Sequence, residues 1–347
     1  MPRRIKLTRW ASSATRRWSS LVASQARTAA RLVHAAQPRA SKRRAPTVDT
    51  GHWVLGHALG TAGSRRYRLY RPPAVAASER LPMLVMLHGC GQNAQGFATS
   101  TQMNALARKH RFLVLYPEQD RLANPQGCWN WFETRTGRAQ AEAASIVHCV
   151  DEVLRLYPVD PQRVALAGLS AGASLAALLA TRHAQRFSAL CMHSGVAPGA
   201  ARSTATALGA MRGARGAPAL LAQHLPPLLI VHGRDDTVVS IDNARATAVL
   251  WADSQSAQAQ PARRLQRGQR YPMEITDYRC GPTLVVRLCQ VQGLGHAWSG
   301  GRAGQPHSDP KGPDASRLVC AFIARTWEAA PGQRAAVAAR LPASVTS

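Results

Sequence analysis

The stretch VALAGLSAGASLA, residues 164–176, constrains the fold more than any other part of the chain. An apolar run meets Gly168, Ser170 and Gly172 and then turns alanine-rich, as a buried strand does when it passes directly into a helix. Glycine at a tight turn is ordinary punctuation. A G-x-S-x-G spacing between strand and helix is also that of a nucleophile elbow, which presents a serine oxygen at the edge of a sheet. The triplet alone does not separate the two readings. A base, an acid and two oxyanion donors elsewhere in the chain would.

The remaining apolar runs alternate with helical segments. Residues 65–72, 81–89, 111–119, 162–170, 186–195 and 226–236 read as strands, with a further pair near 273–279 and 284–292. Helices are predicted near 101–110, 141–157, 171–183, 241–252 and 313–328. Short buried strands between helices predict a mostly parallel sheet covered on both faces, an α/β architecture. The 347 residues, 46% of them hydrophobic, suffice for one large domain of this kind. We place it at 51–330, after a basic arm (1–50) and before a short tail (331–347). Residues 196–225 and 253–272, rich in Ala, Arg, Gln and Pro, read as surface insertions.

A serine needs a base within hydrogen-bond reach and a group that orients the base. In open parallel sheets such groups follow the carboxyl ends of strands. His296 follows the strand at 284–292, and Asp235 and Asp236 follow the strand ending in IVHG. The order Ser, Asp, His is that of an α/β-hydrolase. For the oxyanion, one amide belongs to Ala171, after the serine. The other is expected from the glycine-flanked Cys90 in HGCGQNA. His88 and His232 are expected to brace these turns as buried imidazoles.

Charge and cysteine content bound the other functions. Lys and Arg number 44 against 18 acidic residues, a net +26, and residues 1–45 hold twelve basic residues and no acidic one. Such an arm is either a solvated extension or a contact for nucleic acid or an anionic surface. No segment is long and apolar enough to span a bilayer, and residues 1–37 contain no apolar core of the ~7–15 residues that a secretory signal needs. The seven cysteines form no close C-x-x-C pair, so no metal site is expected. Cys149, Cys191 and Cys320 read as core residues.

LHGCGQNA, YPEQ, NPQGCWNWF, GLSAGASLA, IVHGRDDTV and GLGHAWSGG occur in this order. Together they resemble the poly(3-hydroxybutyrate) depolymerase family of esterases, akin to feruloyl and acetylxylan esterases, over roughly Gly51 to Trp327. The resemblance implies an α/β-hydrolase fold, an ester substrate of hydroxyalkanoate type, no cofactor, and a triad of Ser170, Asp236 and His296. It selects Asp236 because the family's H-G-x-x-D pattern runs from His232 to Asp236. It also implies an extracytoplasmic enzyme, whereas the absence of a signal core points to the cytoplasm or another export route. Carbohydrate-ester hydrolysis is the alternative activity. A surface-binding protein with an idle hydrolase body is the alternative of another class.

Trp129, Trp131 and Trp298 are candidates for lining an ester pocket, with packing against the core as the competing role. Cys90 and Cys128 lie in glycine-flanked loops expected at one edge of the sheet. A disulfide between them would hold the Cys90 amide toward Ser170, and it requires Cα atoms within ~7 Å.

Overall fold

Nothing in a run such as Leu81–Leu87 faces water: all seven side chains are buried. Such a run is stable only in the middle of a sheet with both faces covered. A computed structural model describes residues 51–76, 78–214, 216 and 225–328. Expectations for the basic arm and the C-terminal tail lie outside these residues.

The strands of the main sheet are β1 (His52–Gly60), β2 (Gly63–Arg71), β3 (Leu81–Leu87), β4 (Leu113–Pro117), β5 (Val159–Leu169) and β6 (Ala189–His193). They continue with β7 (Leu228–Gly233), β8 (Gln258–Ala259), β9 (Arg263–Leu265), β10 (Met273–Cys280) and β11 (Thr283–Val291), and β12 (Trp298–Ser299) pairs with β13 (Ser308–Asp309) in a separate ribbon. The helices are α1 (Ala94–Thr101), α2 (Met103–His110), α3 (Arg138–Leu156), α4 (Ala171–Arg182), α5 (Thr204–Met211), α6 (Asp242–Asp253) and α7 (Ala315–Glu328).

Strand order in the sheet is β1-β2-β4-β3-β5-β6-β7-β11-β10-β8, with β9 also on β10. The central strands from β4 to β11 run parallel, and the flanking pairs are antiparallel. One face packs on α3, α4 and α6 through residues such as Ile146, Leu175 and Trp251. The other packs on α1, α2 and α7 through Phe97, Met103 and Phe322. This is the α/β-hydrolase fold. Among the described residues no helix is long and apolar enough to cross a membrane.

Three local differences from the sequence reading have physical causes. The helix expected near 101–110 is α2, and a further helix, α1, precedes it; Gln102 takes a left-handed conformation (φ 54°) that ends α1 and separates the two. Strand β1 has no counterpart among the predicted strands. It is an edge strand whose exposed positions carry Leu55 and Leu59, so apolar and polar residues do not alternate cleanly with burial. The insertion after β6 holds α5 and a small core of its own, in which Val196, Ala207, Ala210 and Val239 meet Trp131 and Phe132.

Candidate active site

Strand β5 ends at Leu169 and α4 begins at Ala171, so Ser170 makes the whole turn with φ 55° and ψ −122°. A non-glycine residue at positive φ is strained and persists only where its surroundings hold it. They do so here. Ser170 N–H donates to His193 O at 2.8 Å, and Ser170 O accepts from Ser174 N–H at 3.0 Å and from Ser174 Oγ at 3.2 Å. Ser174 Oγ in turn accepts the Val196 N–H at 2.9 Å, tying the turn to the end of β6.

The two glycines are steric requirements. A Cβ on Gly168 would lie 2.5 Å from the Gly172 carbonyl carbon, and one on Gly172 would lie 2.2 Å from Leu87 O. The elbow therefore packs directly on the end of β3, where the loop 88–91 begins.

Beside it, the loops after β7 and β11 lie back to back. A Cβ on Gly233 would fall 2.0 Å from Leu294 O, and Asp235 N–H donates to that same oxygen at 3.2 Å. This contact brings His296 over Ser170. His296 Nε2 lies 2.9 Å from Ser170 Oγ, and Nδ1 lies 2.8 Å from Asp236 Oδ2. The Asp236 side chain is wholly buried and that of His296 is 13% exposed. Asp235 stands at the surface.

Asp236 Oδ1 accepts the Val238 and Val239 amides at 3.0 and 2.8 Å. His232 Nε2–H donates to Val239 O at 2.9 Å and lies 3.5 Å from Asp236 Oδ2. Burial by itself would raise the Asp236 carboxyl pKa. Hydrogen bonding from His232, His296 and the Val239 amide outweighs it and holds the carboxyl well below the usual range. Asp236 is therefore a permanent carboxylate at neutral pH, able to fix the His296 tautomer and stabilise an imidazolium.

Cys90 and Cys128 are joined by a disulfide, with Cα atoms 4.2 Å apart. Among the described residues neither the Cys90 nor the Ala171 amide has a protein acceptor. His88 is buried beneath this loop. Its Nε2 accepts the Gln119 N–H at 3.2 Å and its Nδ1–H donates to Gly89 O at 2.9 Å. Burial lowers its pKa to about 4, in keeping with a neutral ring.

The three tryptophans separate. Trp129 has no exposed surface; it packs 5.2 Å from the His88 ring and donates its indole N–H to His88 O at 2.9 Å. Trp298 is 1% exposed, stacks on His193 at 5.0 Å and donates to Ser316 Oγ at 3.0 Å. Both are core residues bracing histidines, and the pocket role expected for them gives way to packing. Trp131 alone is half-buried, set edge-to-face on Phe132 at 5.4 Å.

His193 was not singled out from the sequence. Burial, with His232 and His296 nearby, lowers its pKa to about 3, and its neutral Nε2 accepts the Ser299 N–H at 3.0 Å. Its only signal is its position at the end of an apolar strand, shared by many structural residues.

Residues 65–268, well over half of the chain, match the profile of the family described as Esterase PHB depolymerase. The chain belongs to this family. It is 40% identical over 107 residues to poly(3-hydroxyalkanoate) depolymerase C of Paucimonas lemoignei, which covers 30% of this chain and 26% of that protein. It is 29% identical over 191 residues to feruloyl esterase B of Thermothelomyces thermophilus, covering 50% of this chain and 65% of that one. The chain thus spans about a quarter of the first relative and just under two thirds of the second. Among solved structures, the acetyl xylan esterase from Aspergillus awamori superposes with a TM-score of 0.58 at 20% identity, over 70% of this chain and 94% of that one. That likeness concerns the fold.

Proposed function

We propose that the protein is a serine esterase that cleaves carboxylic esters through an acyl-enzyme, with poly- or oligo(3-hydroxybutyrate)-type short-chain hydroxyacid esters as its substrates. The observation that carries this reading is the hydrogen-bonded chain from Ser170 Oγ through His296 to Asp236, at 2.9 and 2.8 Å. His296 Nε2 takes the Ser170 proton as Oγ bonds to the ester carbonyl carbon. The carbonyl π pair moves onto oxygen, where the Ala171 and Cys90 amides receive it. Collapse breaks the bond to the leaving alkoxide, which takes the proton from His296. Water then repeats the sequence, releasing a carboxylic acid and restoring Ser170.

The hydroxyalkanoate assignment draws on the family and on the 40% identity to a depolymerase. The similarity to feruloyl esterase B, which spans more of this chain, favours a carbohydrate ester as the second reading. Of the three candidate tryptophans, half-buried Trp131, on the small core that borders the acid turn, is the one available to contact an acyl group. The Cys90–Cys128 disulfide suits an oxidising compartment and supports an extracytoplasmic location.

Side-by-side turnover of hydroxybutyrate oligomers, methyl ferulate and acetylated xylo-oligosaccharide tests the assignment. The oligomers are expected to give the highest kcat/KM. A preference for methyl ferulate or for the acetylated oligosaccharide would select the second reading, and no turnover of any ester would overturn both.

A further inference from the structure

The block YPEQ ends in Gln119, a residue for which acyl transfer itself has no use. The residue is 4% exposed, and its side chain is saturated with partners. Oε1 accepts from Arg65 Nη1 at 2.5 Å and from the Asp120 N–H at 3.0 Å. Nε2 donates to Cys128 O at 2.9 Å and to Glu142 Oε1 at 2.7 Å. The backbone N–H goes to His88 Nε2 at 3.2 Å. Glu142, also buried, accepts the Asn130 N–H at 2.8 Å and Asn130 Nδ2 at 2.5 Å. Arg65 Nε is held by Ser145 Oγ at 3.0 Å.

A buried ionic network is a weak source of stability, because desolvation offsets much of the attraction between its charges. What such a network supplies is fixed geometry, provided every member is satisfied. Here the satisfied bonds converge on one loop. Cys128 is bonded covalently to Cys90, Trp129 reaches back to His88 O, and His88 bonds to Gly89 O. Gln119 thus holds the loop 88–90 from two sides: through Cys128 and the disulfide on one, and through the His88 ring on the other.

We propose that Gln119 is the positioning residue of the oxyanion loop, aiming the Cys90 amide at the developing charge by holding Cys128 and His88 together. The inference rests on the serine-esterase reading. Glu142 and Arg65 hold the Gln119 amide in its orientation: one accepts from the nitrogen and the other donates to the oxygen, so a flipped amide would meet both wrongly.

The test uses Gln119→Met, which keeps an unbranched chain of similar length and removes every side-chain bond. Glu142→Gln, which loses an acceptor and the charge at constant size, carries the test if Gln119→Met does not accumulate folded. Kinetics on p-nitrophenyl butyrate are set beside the Ki of an alkyl trifluoromethyl ketone. In that adduct Ser170 Oγ bonds to the ketone carbon, the π pair becomes an oxyanion, and the serine proton rests on His296. Loss of a complete oxyanion donor costs about 10²–10³ in kcat. A misaimed one is expected to cost about 10- to 100-fold in kcat with KM within about twofold, and to weaken ketone binding by the same factor.

A folded variant with lowered Tm but unchanged kcat and Ki would overturn the proposal, leaving Gln119 a structural residue. So would parallel loss of substrate and ketone binding, which signals a damaged pocket. Labelling of the unaltered protein by a fluorophosphonate separates the two levels. Without labelling at Ser170 the esterase reading falls and takes this inference with it; with labelling, an unmoved Ki removes this inference alone.

Discussion

Asp235 and Asp236 are neighbours in the chain and opposites in environment: Asp236 is sealed against His296 at 2.8 Å, while Asp235 is at the surface. Successive side chains after a strand point to different sides, so one residue of register decides which carboxylate steadies the imidazole. Asp236→Asn is expected to lower kcat by about 10⁴, because an amide at this position favours the wrong histidine tautomer. Asp235→Asn is expected to stay close to wild type. Steady-state kinetics on a chromogenic ester check both, and a reversed pair of losses would refute the assignment.

Ser170→Ala removes the nucleophile and leaves the strained backbone of the turn as it is. Activity is expected to fall to the residual ~10³–10⁴ acceleration over water that oxyanion donors and binding alone provide. Thermal stability should hold or rise, since alanine leaves the turn's backbone bonds in place. Near-wild-type turnover would mean that another group attacks the ester.

The disulfide predicts a thiol count. Under denaturing, non-reducing conditions five cysteines should alkylate, Cys149, Cys191, Cys280, Cys289 and Cys320, and seven after reduction. Closing a loop of 38 residues stabilises the fold by about 3–4 kcal/mol in the chain-entropy model. Cys128→Ser should lower the unfolding free energy by up to that amount and reduce kcat by loosening the Cys90 amide. Seven reactive thiols without reductant, in protein from an oxidising host, would contradict the bridge.

Acid sensitivity follows from the buried histidines. His88 and His193 are lowered by burial to about 4 and about 3 from the ordinary 6.5, so the unfolded chain binds more protons than the folded one between those limits. The stability they contribute is present above pH ~6.5 and is lost as pH falls, by up to ~1.4 kcal/mol per unit for each ring. Asp236, also depressed, adds its loss only below the usual carboxyl range near ~4. Urea midpoints measured from pH 7 to 4 should fall steadily, with a shallower slope in His193→Gln, provided that variant keeps the Ser299 contact. A flat profile across that window would show both rings charged in the folded state.

What the chain determined locally is what depends on neighbours in sequence. G-x-S-x-G between an apolar run and an alanine-rich one places a serine on a turn that only glycines two positions away allow. Short buried strands alternating with helices specify a parallel sheet, and so place Ser170, Asp236 and His296 at one edge. Tertiary structure decided what depends on burial and on partners far away. Trp129, Trp131 and Trp298 are alike as residues, and only the core shows that two of them brace histidines. Gln119 lies in the block YPEQ, yet its role is not legible there, because its partners Arg65 and Glu142 stand 54 and 23 positions away. A hydrogen bond of that kind is written in the fold: the sequence supplies donor and acceptor, and packing alone brings them within reach of each other.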